Sequence, residues 1–106
     1  MAHNVTNAEF DEKVLNASDV TLIDFWAPWC GPCQALLPVI EDLSANPPAG
    51  CQIMKVNVDE EVEIAAKYGV MSIPALKVFK GGEVVEEAVG IKGKEEIVEM
   101  MQRHTC

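Results

Sequence analysis

Val20-Thr21-Leu22-Ile23-Asp24-Phe25-Trp26-Ala27-Pro28-Trp29-Cys30-Gly31-Pro32-Cys33 is the stretch whose reading decides the fold. Residues 20–27 are β-branched, aromatic and nearly uninterrupted, the pattern of a strand covered on both faces. Behind Trp29-Cys30-Gly31-Pro32-Cys33 comes a helix-like run, residues 34–43. A strand therefore delivers two thiols to the start of a helix. Helix N-termini carry free backbone N–H groups and a partial positive charge. Both stabilise a thiolate, the form of cysteine that attacks disulfides. An unperturbed thiol is only roughly 3% ionised at pH 7. A pKa lowered towards ambient pH raises that fraction without spending too much nucleophilicity. Positions three apart share a helix face, so Cys30, nearer the exposed end, and Cys33, one turn in, can reach each other.

Outward from this stretch, residues 30–44 read as one helix, with Leu36, Leu37, Ile40 and Leu43 facing a core at spacings of three and four. Pro32 is tolerated in the first turn. Pro38 lies in the interior, where a kink is expected. Asn46-Pro47-Pro48-Ala49-Gly50 ends the helix in a loop. Residues 52–59 form the next strand, with Met54, Val56 and Val58 on one face. Strand, helix, strand predicts a right-handed crossover and parallel pairing.

Upstream, Thr6-Asn7-Ala8-Glu9 has capping-box spacing, and Phe10, Val14 and Leu15 continue an apolar stripe. Residues 7–16 read as a first helix, with a short strand near residues 3–5. Downstream, Asp59-Glu60-Glu61 starts a short helix through Tyr68, closed by Gly69. These acids read as a helix start and solvated surface rather than a metal site, since no neighbouring His or Cys completes one. Residues 75–80 and 83–89 flank Gly81-Gly82, the spacing of an antiparallel hairpin. Residues 95–103 form a last helix with Ile97, Val98, Met100 and Met101 inward; the methionines read as packing, not a cofactor site. The fold class is α/β: a central mixed sheet of four to five strands with helices on both faces.

A chain of 106 residues is enough for one domain with its own core, and residues 1–106 are read as a single domain. A net charge of −9 argues against nucleic acid and anionic membranes as main partners. Residues 1–6 have no basic or apolar leader pattern, and no run approaches the ~20 apolar residues of a membrane span. A cytoplasmic location is expected. The four cysteines do not read as a structural disulfide framework, because a reducing compartment keeps such thiols reduced.

For Cys30 and Cys33 three readings compete: redox chemistry, half of a zinc site and two inert core thiols. Zinc needs four ligands as a rule, and neither Cys51, Cys106 nor either histidine is suitably spaced, so no metal is expected and redox chemistry leads. Asp24 is the one charge inside an apolar strand. It is either buried with a raised pKa or at an exposed edge. Lys55 lies on the next strand, on the face opposite Met54, Val56 and Val58; alone it reads as a solvated residue. Trp26 reads as core. Trp29, Gly31, Pro32, Ile73, Val89, Gly90 and Ile91 form a candidate apolar rim, with ordinary packing the alternative for Val89 and Ile91. Cys51 reads as a buried small hydrophobe. Cys106 reads as an exposed terminal thiol able to crosslink two chains.

The segment from Asp24 to Cys33 resembles the active-site segment of the thioredoxin family. Ser72-Ile73-Pro74-Ala75-Leu76 resembles the family's second segment, which carries a cis-proline, and Phe79-Lys80-Gly81-Gly82-Glu83 and Val89-Gly90 resemble its later hairpin. The matches fall in order across nearly the whole chain. The resemblance implies the thioredoxin fold and a general protein-disulfide reductase, an electron donor to cytosolic enzymes that form disulfides in turnover. It implies that Cys30 attacks and Cys33 resolves, that Asp24 assists proton transfer at Cys33, and that Lys55 pairs with Asp24. It implies a cis Ile73–Pro74 peptide packed beside the disulfide, with adjacent backbone binding substrate in extended form. It further implies no bound cofactor beyond the Cys30–Cys33 disulfide and recycling by thioredoxin reductase, an NADPH-linked flavoprotein. Disulfide-containing proteins are the implied substrates, and a monomer is expected. Gly31-Pro32 resembles the reducing members rather than thiol oxidases or isomerases; a binding subunit with incidental redox activity is the rival of another class. Gln34 stands where many members carry a basic residue, and Ala75 where a threonine is frequent.

Overall fold

The computed structural model describes residues 2–105; Met1 and Cys106 lie outside the described residues. The elements, in chain order, are β1 His3–Asn4, β2 Val20–Trp26, α1 Gly31–Ala45, β3 Cys51–Asn57, α2 Val62–Lys67, β4 Ala75–Lys80, β5 Glu83–Val89 and α3 Lys94–Gln102. The five strands form one sheet in the order β1-β3-β2-β4-β5. β3 pairs parallel with both β1 and β2, while β4 runs antiparallel to β2 and β5 to β4. This is the mixed sheet expected from the sequence, with the short first strand at its edge.

β2 is at the centre and all but its last residue are buried, as its continuous apolar run requires. Its alternate side chains feed two separate cores. Leu22 joins Leu36, Ile40 and Leu43 of α1, Ile53 of β3 and Ile97, Met100 and Met101 of α3 on one face. Ile23 and Phe25 join Phe10, Val14, Met54, Val56, Ile64 and Phe79 on the other. There Phe10, Tyr68 and Phe79 form an aromatic trio with centroids 5.2–5.7 Å apart. Each such pair contributes about 0.5–1.5 kcal/mol beyond its area burial. Helices thus cover both faces of the sheet, and Leu37 is only half-buried at the margin of the α1 stripe.

Two elements differ in type or start from the sequence reading, while the other bounds shift by only a residue or two. The first helix is not a regular α-helix: a 3₁₀ turn, Asn7–Glu9, leads into a wide π-turn, Asp11–Leu15. The Glu9 carboxylate does accept the Thr6 backbone N–H, at 3.1 Å, as the capping spacing predicts. The acidic run does not open α2, which starts at Val62. Instead the buried Asn57 side chain accepts the backbone N–H groups of Asp59 and Glu60 at 2.9 and 3.3 Å, which holds that segment as a turn. α1 runs unbroken through Pro38. The hairpin is as expected: Gly81 and Gly82 have φ of +61° and +83°, the left-handed pair that a two-residue turn between twisted strands demands.

Candidate active site

The carboxyl ends of β2 and β3, the start of β4 and the end of β5 converge on one edge of the sheet, because β4 is antiparallel to β2 and β5 to β4. The head of α1 sits at this edge. Cys30 is its N-cap, with extended backbone (φ −90°, ψ 111°), and its Sγ accepts the Cys33 backbone N–H at 3.2 Å. Sulfur thus occupies the place that a Ser or Asp oxygen takes at other helix starts. Pro32 falls in the first turn, where its missing N–H costs nothing.

Cys30 and Cys33 form a disulfide with Cα atoms 5.2 Å apart. Both are buried in a small apolar cluster with Ala27, against Trp26, Val58 and Ile73. The Ile73–Pro74 peptide is cis. The Ile73 carbonyl oxygen lies 3.8 Å from Cys30 Sγ, so this loop rests directly against the disulfide. The Pro74 carbonyl in turn accepts the Gly90 N–H at 2.8 Å, which ties the end of β5 to the same edge. Trp29 is 71% exposed, and Val89 and Ile91 are 59% and 55% exposed. Ordinary packing does not account for side chains so open. The Trp29 indole N–H donates to Asp59 Oδ2 at 2.8 Å, which fixes the ring's outward orientation. The Gln34 side chain donates to the Pro28 carbonyl at 3.3 Å and adds no charge at the helix head.

Asp24 lies below this edge, on the α1 face of β2. It is 1% exposed, and its Oδ1 has no hydrogen-bond partner. Burial pushes its pKa up to about 7, with the Lys55 charge pulling the other way. Lys55 stands opposite Asp24 in the β2–β3 register and is 4% exposed, so it is not a solvated strand residue. The salt bridge of its ammonium is with Glu41 Oε2 on α1, at 3.1 Å. The same ammonium sits over the Trp26 ring, 5.1 Å from its centroid. The Trp26 indole N–H donates to Asn4 Oδ1 at 2.9 Å, and Trp26 is half-buried.

Four residues of this region escape the sequence reading. Asp59 anchors Trp29, Asn4 anchors Trp26, Glu41 holds Lys55, and Met71, just before Ser72-Ile73-Pro74, is 95% exposed. Only Glu41 leaves a local signal, next to Ile40 on the flank of the buried stripe. Among the described residues no group of three or more His, Cys, Asp or Glu side chains is placed to hold a metal ion.

A dithiol that closes within one helical turn exchanges two electrons with another disulfide and needs no bound group to do so. Proteins built in this way are thiol–disulfide oxidoreductases. The thioredoxin family model matches residues 1–103. Thioredoxins of Staphylococcus aureus strains MW2 and COL are each 50% identical to this chain over 100 residues, covering 94% of both partners. The chain belongs to the thioredoxin family, and Cys30 and Cys33 are its redox-active pair.

Proposed function

We propose that this chain is a general reductase of protein disulfides in which Cys30 attacks and Cys33 resolves. The Cys30 thiolate attacks one sulfur of a substrate disulfide; a mixed disulfide forms and the other substrate sulfur leaves as a thiolate. Asp24 accepts the Cys33 proton. The Cys33 thiolate then attacks Cys30 Sγ, the Cys30–Cys33 disulfide closes, and the second substrate sulfur leaves. Substrate gains two electrons and the enzyme pair loses two. Thioredoxin reductase, an NADPH-linked flavoprotein, returns them. Trp29, Gly31, Pro32, Ile73, Pro74, Val89, Gly90 and Ile91 form the docking rim, and substrate lies extended along the backbone before Pro74. The chain works as a single-domain monomer in the cytoplasm, where a reducing pool keeps the dithiol available.

The observation that carries this reading is the Cys33 N–H aimed at Cys30 Sγ from the head of α1. A charge on that sulfur gains a charge-assisted hydrogen bond and the helix dipole, whereas Cys33 lies one turn further in. With dithiothreitol as electron source, the parent should reduce a protein disulfide and Cys30→Ser should not. Cys33→Ser should instead accumulate as a mixed disulfide with its substrates, and mass spectrometry of those adducts names them. Equal activity of Cys30→Ser and parent would refute the assignment.

A further inference from the structure

The buried acid and the buried lysine face each other across two strands, yet a third residue decides where the lysine's charge lies. Glu41 projects from α1 towards the sheet. One carboxylate oxygen, Oε2, binds the Lys55 ammonium at 3.1 Å; the other, Oε1, accepts the Ala2 backbone N–H at 2.6 Å. Ala2 is itself buried in the core cluster on that face, the one that contains Leu22 and Leu36. The carboxylate is therefore clamped from both sides. Lys55 is clamped as well, between Glu41 and the Trp26 ring, and that ring is fixed by Asn4. Against the desolvation of burial, the Ala2 N–H and the Lys55 ammonium hold Glu41 below the usual carboxylate range, so it stays charged.

We propose that Glu41 is a positioning residue for the exchange reaction: by holding the Lys55 ammonium on α1, it keeps that charge from pairing with Asp24 and leaves Asp24 able to take up a proton at neutral pH. The physical argument is one of competition. An ammonium within ~4–6 Å of a carboxylate lowers its pKa by about one to three units. A lysine paired fully with Asp24 would keep the acid ionised throughout the neutral range, and a carboxylate that never binds a proton cannot relay one. Here Lys55 lowers the Asp24 pKa without overcoming burial, which still leaves it at about 7. Beside burial, the charge that acts on Asp24 is that of Lys55; the same face of the sheet is lined by apolar side chains, Leu76 and Val78 from β4 and Ile97, Met100 and Met101 from α3, and the disulfide at the head of α1 is neutral. The N-terminal segment enters the device through Ala2, and so does Trp26, which supplies the second wall of the lysine's seat.

The inference rests on the proposed proton-transfer role of Asp24, so its test reads Asp24 directly and without turnover. Carboxyl ¹³C chemical shifts of Asp24 in the oxidised protein, followed against pH, give its titration midpoint. Glu41→Gln should move that midpoint down by about one pH unit or more, because the freed ammonium turns to the nearest anion. The same substitution made on a Lys55→Met background should move it far less, since no ammonium remains to be released. An unmoved or raised midpoint in Glu41→Gln overturns the proposal. So does an equal shift with and without Lys55, which would mean that Glu41 acts through its own field. Should Glu41→Gln fail to fold, Glu41→Asp, one methylene shorter and unable to hold both Ala2 and Lys55, must lower the midpoint in the same direction; an unchanged value there is equally fatal. Loss of activity in Asp24→Asn is a separate measurement. A shifted midpoint with fully active Asp24→Asn would sustain the coupling and remove only the catalytic role of the acid.

Discussion

Asp24 and Lys55 are register partners on adjacent parallel strands, both almost wholly buried, yet Asp24 Oδ1 is without a partner while the Lys55 ammonium bonds to Glu41. A buried carboxylate with one oxygen unpartnered is a cost to the fold. In the proposed mechanism the same carboxylate takes up the Cys33 proton.

That cost has a sign and a pH window. The native Asp24 carboxyl holds its proton up to about pH 7, against an ordinary value of 3.8. Below 3.8 both folded and unfolded chains are protonated and Asp24 is neutral to stability. As pH rises from there to about 7, the unfolded chain releases its proton and the native one does not, so stability falls; above that the penalty is constant. Asp24→Asn removes the ionisable group. The variant should be more stable than the parent at pH 8 by roughly 2–4 kcal/mol, with the difference shrinking towards pH 4. It should also resolve mixed disulfides more slowly at neutral pH. Denaturant melts at both pH values decide the first point. A variant less stable than the parent at pH 8 would show that Asp24 is a partnered structural carboxylate.

Cys30 should be the thiol that iodoacetamide labels first in the reduced protein at neutral pH. Both sulfurs are buried, so accessibility alone does not separate them. The Cys33 N–H directed at Cys30 Sγ does, because it stabilises negative charge on that sulfur. Peptide mapping after limiting alkylation gives the answer, and preferential labelling of Cys33 would reverse the proposed roles.

Cys51 should stay silent under the same conditions. It opens β3, is 6% exposed, and burial, reinforced by the Asp19 charge, pushes its thiol up from the ordinary value. Its labelling should require unfolding, so guanidinium should release it with the same midpoint as the loss of structure. Rapid modification of Cys51 in the native protein would place it on a mobile edge of the sheet instead.

Much of this molecule is legible because its signals are local. The run at Val20, the three-and-four spacing of Leu36, Ile40 and Leu43, and Gly81-Gly82 between two alternating strands each fix an element to within a residue or so. What escapes depends on distant partners. The capping spacing at Thr6–Glu9 announces a helix start, but not that a 3₁₀ turn and then a wide π-turn follow, in a segment whose Phe10 packs on the distant Tyr68 and Phe79. The acids at 59–61 have the composition of a helix start, and the Asn57 side chain diverts their N–H groups into a turn. The Glu41–Lys55 pair joins residues 14 apart through a helix and a strand, and no periodicity announces it. The expected crosslinking by Cys106 falls outside the described residues.

The docking rim is the last expectation, and it separates protein substrates from small ones. Trp29, Val89 and Ile91 are large, apolar and more than half exposed around a disulfide that is itself buried. A small disulfide needs only to reach Cys30. A protein disulfide must also bury its flanking chain, and at ~25 cal/mol per Å² of apolar area removed from water that contact supplies binding without touching the reacting sulfurs. Val89→Asp or Ile91→Asp places a charge where an apolar chain would lie and leaves Cys30, Cys33 and Asp24 in place. Each should raise KM for a protein disulfide by about tenfold, since roughly 1.4 kcal/mol of lost binding is one factor of ten. Reduction of a small aromatic disulfide should change by less than about twofold, because lost docking alone does not alter the chemical step. Trp29→Ala should follow the same pattern, provided that losing its bond to Asp59 does not disturb the helix head; the disulfide's redox potential, measured alongside, reports that. Equal losses towards both substrates would mean that the rim supports the site's geometry rather than docking, and unchanged KM in all three variants would place the substrate elsewhere on the surface.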